Sequence, residues 1–468
     1  MSLAPQAATS SATSVAPTDP TPVISESGRP PLLARVMRAG SLTLVGNIAS
    51  QVLRFGSNLV LTRLLFPEAF GLMAIAQSIL TAAALVSDVG LQQSVVRSAR
   101  GHEPGFLNTI WTLQIAKGAV ILAIMSLGAV FAARGYGQPM LLELMPALGV
   151  ASLINGFAST NVALVNRQIE AGRLTLVELG SQVVGIAVML GWAAVSPTPW
   201  ALVGGNLATA LSRSAATHLM LSGPGNALGW DRSVVQEVWK FGGWVMLSST
   251  VTFLAGEGRN LLNAALVDAR TVGLLVLSTT LAFVVWNAIQ QISGRVLYPA
   301  YAEVWRERPH HLPSVVQRSR RWQLLGGCGV AALFALTGDR LVGVFYDARY
   351  REAGIFLQIQ AVGTMFSFLN ASYSGVLWAV GRPGLGTILL AIQVLIVTCL
   401  IFVGHALGGA LGLVTAAAFT GILMYPINSL VYHRFGLFQP KTDWLPMVLG
   451  VALAAYVYAY GSWASFVH

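Results

Sequence analysis

The chain has 468 residues, of which 55% are apolar and only 10% are Asp, Glu, Lys or Arg, against about 25% charged residues in an ordinary soluble domain. A soluble globular protein of this length needs far more surface charge, and a disordered chain would lack the apolar residues, so both classes are excluded. The composition indicates an all-α polytopic membrane protein. Because each span takes about 20 apolar residues, roughly a dozen spans use most of the chain.

The N-terminal residues 1–35 differ from the rest of the chain. Their first 30 residues mix Ser, Thr, Ala and Pro without an apolar run, which predicts a disordered cytoplasmic tail rather than a signal peptide or a span. Thirteen apolar segments follow, each long enough to cross a membrane. They lie at approximately 42–65, 69–93, 107–133, 139–163, 174–195, 199–221, 241–264, 271–297, 322–346, 353–380, 385–406, 409–432 and 444–464.

Positive charges are unequally distributed between the two sides of these spans. With the N-terminus inside, 19 Lys and Arg residues fall on the inner side, among them Arg320 as a loop residue, and six fall on the outer side. Arg54, Lys117 and Arg259 lie within spans. Because loops rich in Lys and Arg stay in the cytoplasm, this bias predicts an inside N-terminus and explains most of the net charge of +10 without a nucleic-acid partner.

Two segments of the sequence are similar to each other and indicate two halves. Residues 58–72 (NLVLTRLLFPEAFGL) match residues 260–274 (NLLNAALVDARTVGL) at an offset of 202. This offset pairs Gly71 with Gly273. Six predicted spans separate the segments, so both cross the membrane in the same direction, as a parallel duplication requires. Chance similarity between two apolar stretches is the alternative.

A polar stripe runs along the first predicted span. Its four residues recur at i, i+4, i+7 and i+11 and therefore share one face of a helix. They are Asn47, Gln51, Arg54 and Asn58. An arginine near the centre of an isolated span costs roughly 2.5–3.5 kcal/mol or more to insert, so we expect Arg54 to face the bundle interior or a wet cavity. An ion pair between helices is the alternative, and the three amides on the same face favour a cavity.

The seventh predicted span repeats this spacing. Thr252, Gly256, Arg259 and Asn263 lie at the same intervals, with Glu257 beside them. Aligning the two stripes needs an offset of 205 instead of 202, and the sequence does not choose between the two registers. With either offset, both halves begin with a polar helix that carries an arginine.

Two other spans carry polar side chains that allow more than one interpretation. Lys117 follows Gln114 at i+3 near the inner end of the third span, and it either snorkels to the surface or lines a cavity. Asp88, near the inner end of the second span, is expected in a salt bridge or in a solvated position. One face of the tenth span either packs against other helices or lines the cavity. Its residues are Gln360, Thr364, Ser367 and Ser374.

Motifs of enzymes and metal proteins do not occur in the sequence. No apolar segment holds a His/Glu or Cys cluster at metal-ligand spacing, and no Gly-rich phosphate loop is present. Cys328 and Cys399 lie far apart in apolar runs and are predicted to be buried small residues. We therefore expect neither a metal nor another cofactor, and no ATPase or hydrolase activity.

Five motifs, taken in chain order, resemble those of polysaccharide flippases of the multidrug/oligosaccharidyl-lipid/polysaccharide exporter superfamily. They are LTRLLFPEAFGLMAIA (61–76) continuing to SDVGLQQSVVRS (87–98), NRQIEAGRL (166–174), PWALVGGNL (199–207), KFGGWVMLSS (240–249) and GRVLYPAYAEV (294–304). The branch resembles the exporters that serve exopolysaccharide or colanic-acid-type synthesis. The chain departs from the pattern where many relatives carry an Asp before a short LLIG run, because here Arg259 precedes LLNA. Cation coupling through that carboxylate is therefore in doubt.

The resemblance implies two six-helix bundles related by pseudo-two-fold symmetry around a central cavity, plus about one extra C-terminal span. It divides the chain into an N-terminal bundle (36–221), a cytoplasmic linker (222–240), a C-terminal bundle (241–435) and an additional span (436–468). The implied activity is transport, not catalysis. By alternating access, an undecaprenyl-diphosphate-linked oligosaccharide is turned from the inner to the outer leaflet of the bacterial inner membrane, for exopolysaccharide or lipopolysaccharide synthesis. The implied partners are membrane lipids, a polysaccharide polymerase and chain-length or export machinery.

This substrate suggests roles for the polar residues of the spans. The cations Arg54, Arg259 and Lys117 bind the diphosphate or acidic sugars through charge-assisted hydrogen bonds. The amides that serve sugar hydroxyls are Asn47, Gln51, Asn58 and Asn263. The remaining predicted cavity residues are Gln360, Thr364 and Ser367.

Two other functions are compatible with parts of the sequence. A small-molecule or drug antiporter of the same superfamily predicts carboxylates deep in the cavity, whereas the deepest charges here include Arg54 and Arg259. A membrane polysaccharide polymerase or glycosyltransferase commonly needs a sizeable outer loop, and the longest outer connection is roughly 339–352. A flippase therefore fits the sequence better than either alternative.

Overall fold

The structure, a computed structural model, describes residues 32–460 except 89, 99, 169–170 and 294–296. These residues form helices without a strand among them, and most of the predicted tail lies outside them. The helices are α1 Leu32–Leu64, α2 Pro67–Val86, α3 Leu91–Arg97, α4 Pro104–Gly135, α5 Leu141–Gly156, α6 Asn161–Gln168, α7 Ala171–Val195, α8 Trp200–Met220, α9 Arg232–Ala255, α10 Glu257–Leu266, α11 Ala269–Ala282, α12 Val284–Ile292, α13 Tyr298–Glu307, α14 Leu312–Phe345, α15 Ala353–Ala371, α16 Ser374–Ala379, α17 Pro383–Ala418, α18 Thr420–Arg434 and α19 Pro440–Tyr460.

The predicted spans coincide with these helices. Each of the thirteen apolar segments corresponds to one helix or to two consecutive helices, which confirms the all-α membrane fold. Within the described part of the chain, seven helical stretches of at least 18 residues are apolar enough to cross a membrane, and two shorter apolar helices, α5 and α11, accompany them. Proline occupies the first turn of α2, α4, α13, α14 and α17, where its missing N–H costs no hydrogen bond.

One apolar stretch, 384–434, contains two spans joined at a break. Within α17 the backbone leaves the helical region at Gly408 (φ −154°, ψ 27°) and Gly409 (φ 55°, ψ −137°). A positive φ is accessible to glycine without steric cost. The two arms pack backbone to backbone, because a Cβ on Gly404 would lie 2.3 Å from the carbonyl oxygen of Gly412. The break separates the eleventh and twelfth predicted segments.

The N-terminal half consists of α1 to α8, packed through small residues and a shared apolar core. α4 and α5 approach closely, because a Cβ on Gly118 would lie 2.9 Å from the Cα of Leu153, and glycine allows such approach between membrane helices. Buried side chains of α2, α4 and α5, including Met125, form the core of this half. α1 lies against α7, where Ser50 donates a 2.6 Å hydrogen bond to Gln182.

In the C-terminal half, α15 and α16 form the central span. In the stretch Ala353–Leu377, 83% of an apolar segment of 18 residues is buried inside the protein. The corresponding share in the stretch Gly384–Arg434 is 11%. A helix that is buried on all sides must be surrounded by other helices. α11, α14, α17, α18 and α19 provide these neighbours. Cys328 is buried among them, as predicted, whereas Cys399 is exposed, contrary to the prediction, because its face of α17 is not covered by another helix.

Arg320 is not a loop residue, as the charge count had assumed. α14 begins at Leu312, so Arg320 lies inside a helix, and its side chain is 0% exposed. Its Nη2 lies 2.7 Å from Oδ1 of Asp443 in α19, and its Nε donates to Ser372 at 2.9 Å. The guanidinium also donates to the hydroxyl of Tyr373 and lies over that ring. The predicted additional span is therefore joined to the C-terminal half by a wholly buried ion pair.

The segment that connects the halves is bound to α4. Backbone N–H groups of Asp231 and Gly229 donate to the hydroxyls of Thr109 and Thr112 at 3.1 and 3.0 Å. The predicted linker 222–240 is helical in its second part, because α9 begins at Arg232. Val234 and Val238, in the first turns of α9, are buried among α3 and α4 side chains. The beginning of the seventh span therefore packs against the N-terminal half.

Asp231 links this segment electrostatically to the residues just before α4. Hydrogen bonds from the hydroxyl and N–H of Ser233 lower the pKa of Asp231, and Arg100 at 3.2 Å adds to the effect. The pKa of Arg100 is raised mainly by Glu103 and then by Asp231. Since the folded-state pKa of Asp231 is lowered, its contribution to stability is present above its ordinary pKa. That contribution is lost as the pH falls through the lowered value.

Replacing Asp231 with Asn is therefore expected to loosen the connecting segment without unfolding the helices. Amide hydrogen exchange of residues 226–231 should accelerate at neutral pH, and the difference from the unmodified protein should shrink in acid, where Asp231 itself becomes neutral. The control is Glu237→Gln, which neutralises an exposed carboxylate on α9, and it should leave exchange unchanged. Equal exchange rates in the Asp231→Asn protein would contradict the assigned contact.

The halves also meet where α2 crosses α11. A Cβ on Gly71 would lie 1.8 Å from the carbonyl oxygen of Ala269, and a Cβ on Gly273 would lie 1.9 Å from that of Pro67. The two backbones are therefore in direct contact, with no side chain between them. This contact lies at the end of the molecule opposite to the connecting segment, since α2 runs from the contact towards Arg100 and the start of α4, where that segment is bound.

Candidate functional site

A polar cavity in the C-terminal half brings together five of the predicted site residues. The cavity has a volume of about 70 Å³, enough for two water molecules or one phosphate-sized group. A neighbouring space of about 140 Å³ between α2, α10 and α11 shares Asn263, Leu275 and Thr279 with it. We name the first space the Arg259 cavity. The predicted residues that line it are Arg259, Asn263, Gln360, Thr364 and Ser367.

Arg259 gives this cavity a positive charge, which the carboxylate of Glu257 attracts without forming an ion pair with it. Among the residues that line the cavity there is no Asp or Glu, and Arg259 forms no ion pair within the described part of the chain. Its guanidinium lies 5.9 Å from the ring centroid of Phe283. Glu257, two residues earlier, accepts hydrogen bonds from Ser78 at 2.6 Å and from Asn260 at 3.0 Å. The arginine is therefore free to bind an anion.

Two buried amide oxygens of the cavity lack hydrogen-bond donors. They are Oδ1 of Asn263 and Oε1 of Gln360. The Gln360 Nε2 donates to Ser278 at 3.2 Å. The hydroxyls of Thr364 and Ser367 donate to carbonyl oxygens of their own helix at 2.8 and 3.0 Å. Because buried polar atoms are almost always paired, the two orphaned acceptors indicate a ligand or water that donates to them.

The predicted stripe of the seventh span is interrupted in the structure. α9 ends at Ala255 and α10 begins at Glu257, and Gly256 between them has φ −105° and ψ −86°, outside the helical region. Thr252 and Arg259 therefore lie on different helices and do not share one continuous face. Arg259 and Asn263, four residues apart on α10, both reach the cavity.

The α1 stripe lies on an exposed polar face. Gln51 and Arg54 are exposed and Asn47 and Asn58 are half-buried, and none of the four side chains forms a hydrogen bond within the described part of the chain. Exposed valines occupy another face of α1. They are Val45, Val52 and Val60. In a membrane helix the apolar face suits lipid, whereas a charged face without partners suits a water-filled space. None of the stripe residues lines the Arg259 cavity.

Lys117 lines a separate cavity of about 370 Å³ in the N-terminal half. Its Nζ lies 3.1 Å from Oδ1 of Asp88, and each side chain is about a quarter exposed, which matches the salt bridge weighed for Asp88. The amide of Gln114 donates to the backbone carbonyls of residues 156 and 158 at 3.1 Å. The charge of Lys117 is therefore balanced within the protein, unlike that of Arg259.

Arg213, one of the 19 basic residues that the charge count places on the inner side, lines the same N-terminal cavity. It lies within α8, and it forms no ion pair among the described residues. The signal that marks it is the hydrophilic run LSRS inside an apolar helix. Among the residues that the structure describes, no group of three or more His, Cys, Asp or Glu side chains is placed to hold a metal ion.

Comparison with known proteins connects this architecture to polysaccharide synthesis. Residues 60–354 match the family described as "Polysaccharide biosynthesis protein". The lipopolysaccharide biosynthesis protein WzxC of Escherichia coli (strain K12) is 22% identical over 423 residues, which cover 86% of this chain and 82% of WzxC.

Two solved structures show the same fold. An inward-facing multidrug resistance MATE family transporter of the MOP superfamily superposes with a TM-score of 0.67 at 13% identity, covering 83% of this chain and 94% of the transporter. The lipid II flippase MurJ in an inward closed conformation superposes with a TM-score of 0.66 at 8% identity, covering 91% of this chain and 100% of MurJ. The chain therefore belongs to the family of polysaccharide biosynthesis proteins and has the same fold as these two membrane proteins.

Proposed function

We propose that this protein is a flippase that moves undecaprenyl-diphosphate-linked oligosaccharides from the inner to the outer leaflet of the bacterial inner membrane, by alternating access. The observation that carries the proposal is the Arg259 cavity, in which an arginine without a carboxylate partner lies beside two amide oxygens without donors. Membership of the polysaccharide biosynthesis family and similarity to WzxC support it. The fold of MurJ, described as a lipid II flippase, supports it as well.

The chemistry of the cavity matches the polar part of such a lipid. A diphosphate must cross about 30 Å of hydrocarbon, and a guanidinium compensates its charge through paired hydrogen bonds. The orphaned oxygens of Asn263 and Gln360 accept hydrogen bonds from sugar hydroxyls. The cavity itself holds only a phosphate-sized group, so we place the sugars outside it, along the exposed α1 stripe. The prenyl tail stays in the lipid.

A drug antiporter fits the polar groups less well. Carboxylates that exchange cations need to be accessible in the cavity, whereas Glu257 is bonded to Ser78 and Asn260, and Asp88 is paired with Lys117. A polymerase or glycosyltransferase also fits poorly, because α14 and α15 are joined by only residues 346–352. A drug-resistance assay on an overexpressing strain separates the antiporter from the flippase.

A deletion strain tests the proposed function. Without this protein, lipid-linked repeat units should accumulate on the inner leaflet and surface polysaccharide should disappear, and expression of the chain should restore both. The control is a strain that lacks the first glycosyltransferase of the same pathway, which should accumulate no lipid-linked units. Delivery of repeat units to the outer leaflet at the normal rate in the deletion strain would contradict the proposal.

The proposed direction of transport requires an inside N-terminus, as the charge bias predicts. A reporter that is active only outside the cytoplasm should be active when fused near residue 137, between α4 and α5, and inactive when fused near residue 310, between α13 and α14. A reporter active only in the cytoplasm should give the opposite pattern at the same two sites. If both reporters show the reversed pattern, the orientation is wrong.

A further inference from the structure

The start of α19 lies against the start of α14, and two contacts fix how these helices are aligned. Arg320 Nη2 lies 2.7 Å from Oδ1 of Asp443, and Nε2 of Gln439 donates a 2.8 Å hydrogen bond to the carbonyl oxygen of Pro313. The contacts join residues 123 and 126 positions apart, a difference of less than one helical turn. The two helices therefore run in the same direction, and residues 123 positions apart lie at similar depths.

One face of α14 changes in chemical character along the helix. Four of its residues recur at i, i+3, i+4 and i+7 and therefore share this face. They are Arg318, Arg321, Trp322 and Leu325. All four are exposed, with Trp322 at 71% and Leu325 at 63%. From the start of the helix, the face passes from charged to aromatic to aliphatic residues.

The start of α19 repeats this order at the same depth. The four residues at the same spacing are Lys441, Trp444, Leu445 and Val448, and all of them are exposed. At the offset of 123 set by the ion pair, Lys441 is level with Arg318. Two neighbouring helices thus present cations at one level, tryptophans close to it and aliphatic side chains beyond.

The cations at this level have no carboxylate partner. Arg318, Arg321 and Lys441 form no ion pair within the described part of the chain. Among residues 312–325 and 439–449 the only Asp or Glu is Asp443, whose oxygens accept hydrogen bonds from Arg320 and from the hydroxyl of Tyr425. This part of the surface therefore carries three uncompensated positive charges.

With the orientation proposed above, we propose that this surface binds the headgroup of an anionic phospholipid of the inner leaflet. We name it the α14–α19 lipid site, and it consists of Arg318, Arg321, Trp322, Lys441 and Trp444. A bilayer presents phosphates, then the interface, then hydrocarbon, in the same order as the residues of these two helices. Tryptophan favours the interface, guanidinium groups bind phosphate through paired hydrogen bonds, and basic surfaces between spans bind anionic headgroups.

The charge of the site selects among phospholipids. The ammonium group of phosphatidylethanolamine would lie among three cations, whereas phosphatidylglycerol brings only its negative phosphate. A lipid that contacts both helices adds a link between α19 and the C-terminal half, outside the buried pair of Arg320 and Asp443. Because this lipid remains in its leaflet, the site does not depend on which substrate the protein transports.

The first test measures stabilisation by lipid in detergent. Phosphatidylglycerol should raise the melting temperature of the purified protein more than phosphatidylethanolamine does, because a ligand that binds the folded state stabilises it. Arg318→Gln combined with Arg321→Gln removes charge-assisted hydrogen bonds, so the same increase should need at least about tenfold more phosphatidylglycerol. Arg340→Gln, exposed at the other end of α14, is the control and should respond like the unmodified protein. Equal titrations of the double variant and the control would overturn the site.

The second test locates the lipid and remains informative if the double variant fails to fold. In phosphatidylcholine vesicles, brominated phosphatidylglycerol should quench the tryptophan fluorescence more than an equal share of brominated phosphatidylethanolamine. Trp322→Phe keeps every cation of the site and should reduce this difference. Trp192→Phe, an exposed position near the end of α7, is the control and should leave the difference unchanged. Equal quenching of the unmodified protein by the two brominated lipids would contradict the assignment.

Soluble glycerol phosphate distinguishes a lipid from a free anion. It carries a phosphate without acyl chains, so it should not raise the melting temperature at concentrations at which phosphatidylglycerol does. An equal increase with glycerol phosphate would show that the cations bind a soluble anion, and it would overturn the lipid site.

Discussion

Replacing Arg259 with Ala is expected to abolish surface polysaccharide while leaving a normal amount of protein in the membrane. The guanidinium has no ion-pair partner within the described part of the chain, and the nearby carboxylate of Glu257 keeps its hydrogen bonds from Ser78 and Asn260 when the guanidinium is removed. A charge-assisted hydrogen bond contributes about 1.5–3 kcal/mol, so we expect binding of the diphosphate to weaken roughly 10- to 150-fold. Polymer output and membrane content, measured in the same strain, check this result.

Two companion variants sharpen the Arg259 experiment. Arg259→Lys keeps the charge but loses the paired donors, so an intermediate output is expected. Arg340→Ala removes one exposed positive charge from α14, outside the cavity, and is the matched control with unchanged output. Normal polymer output from the Arg259→Ala strain would contradict the assignment of the cavity.

Arg54→Ala tests whether the α1 stripe belongs to the same path. Arg54 is exposed on a polar face, so its loss should not destabilise the fold. If the stripe binds the substrate between the halves, the output should fall as it does for Arg259→Ala. Normal output would restrict the site to the Arg259 cavity.

Breaking the Arg320–Asp443 pair is expected to have the largest effect on stability. Both side chains are almost wholly buried, at 0% and 1% exposure, and Arg320→Ala leaves the Asp443 carboxylate buried without its cation. Such a change costs about 3–5 kcal/mol, a large fraction of the total stability of most proteins. The purified Arg320→Ala and Asp443→Ala proteins should both melt at markedly lower temperature in detergent than the unmodified protein.

A double substitution distinguishes loss of the pair from loss of packing. Arg320→Met combined with Asp443→Leu fills the site with apolar groups, and this replacement is often neutral for a buried ion pair. The double variant should therefore recover most of the melting temperature that either single variant loses. A single variant that melts like the unmodified protein would show that the pair does not hold α19 to the C-terminal half.

The sequence predicts the spans well because their signal is local. Apolar runs of sufficient length mark a span whatever surrounds it, and even the break at Gly408 and Gly409 falls between two predicted segments. The polar pattern also named Gln360 and Asn263, which the structure places with Arg259 in the lining of one cavity. Helical spacing placed the residues of each span on one face, although it did not show that these two spans are adjacent.

Prediction from the sequence fails where a contact joins residues that are distant along the chain. Arg320 was counted as a loop charge, because nothing near it in sequence indicates that Asp443 is its partner. The competing offsets of 202 and 205 have a local cause, since α1 is continuous whereas α9 and α10 are separated at Gly256. A spacing rule that assumes one unbroken helix does not describe the seventh span. The contact between Gly71 and Gly273 depends on how the two halves pack together, which no local sequence pattern shows.

Reconstitution tests the central claim most directly. The purified protein is inserted into lipid vesicles that contain a labelled undecaprenyl-diphosphate oligosaccharide, and the fraction of label that an external sugar-modifying enzyme reaches is followed over time. We expect labelled lipid to move rapidly between the leaflets of vesicles that contain this protein, much more slowly in vesicles that contain the Arg259→Ala protein, and only at the background rate in protein-free vesicles. Movement at the background rate with the unmodified, folded protein would contradict the proposed flippase activity.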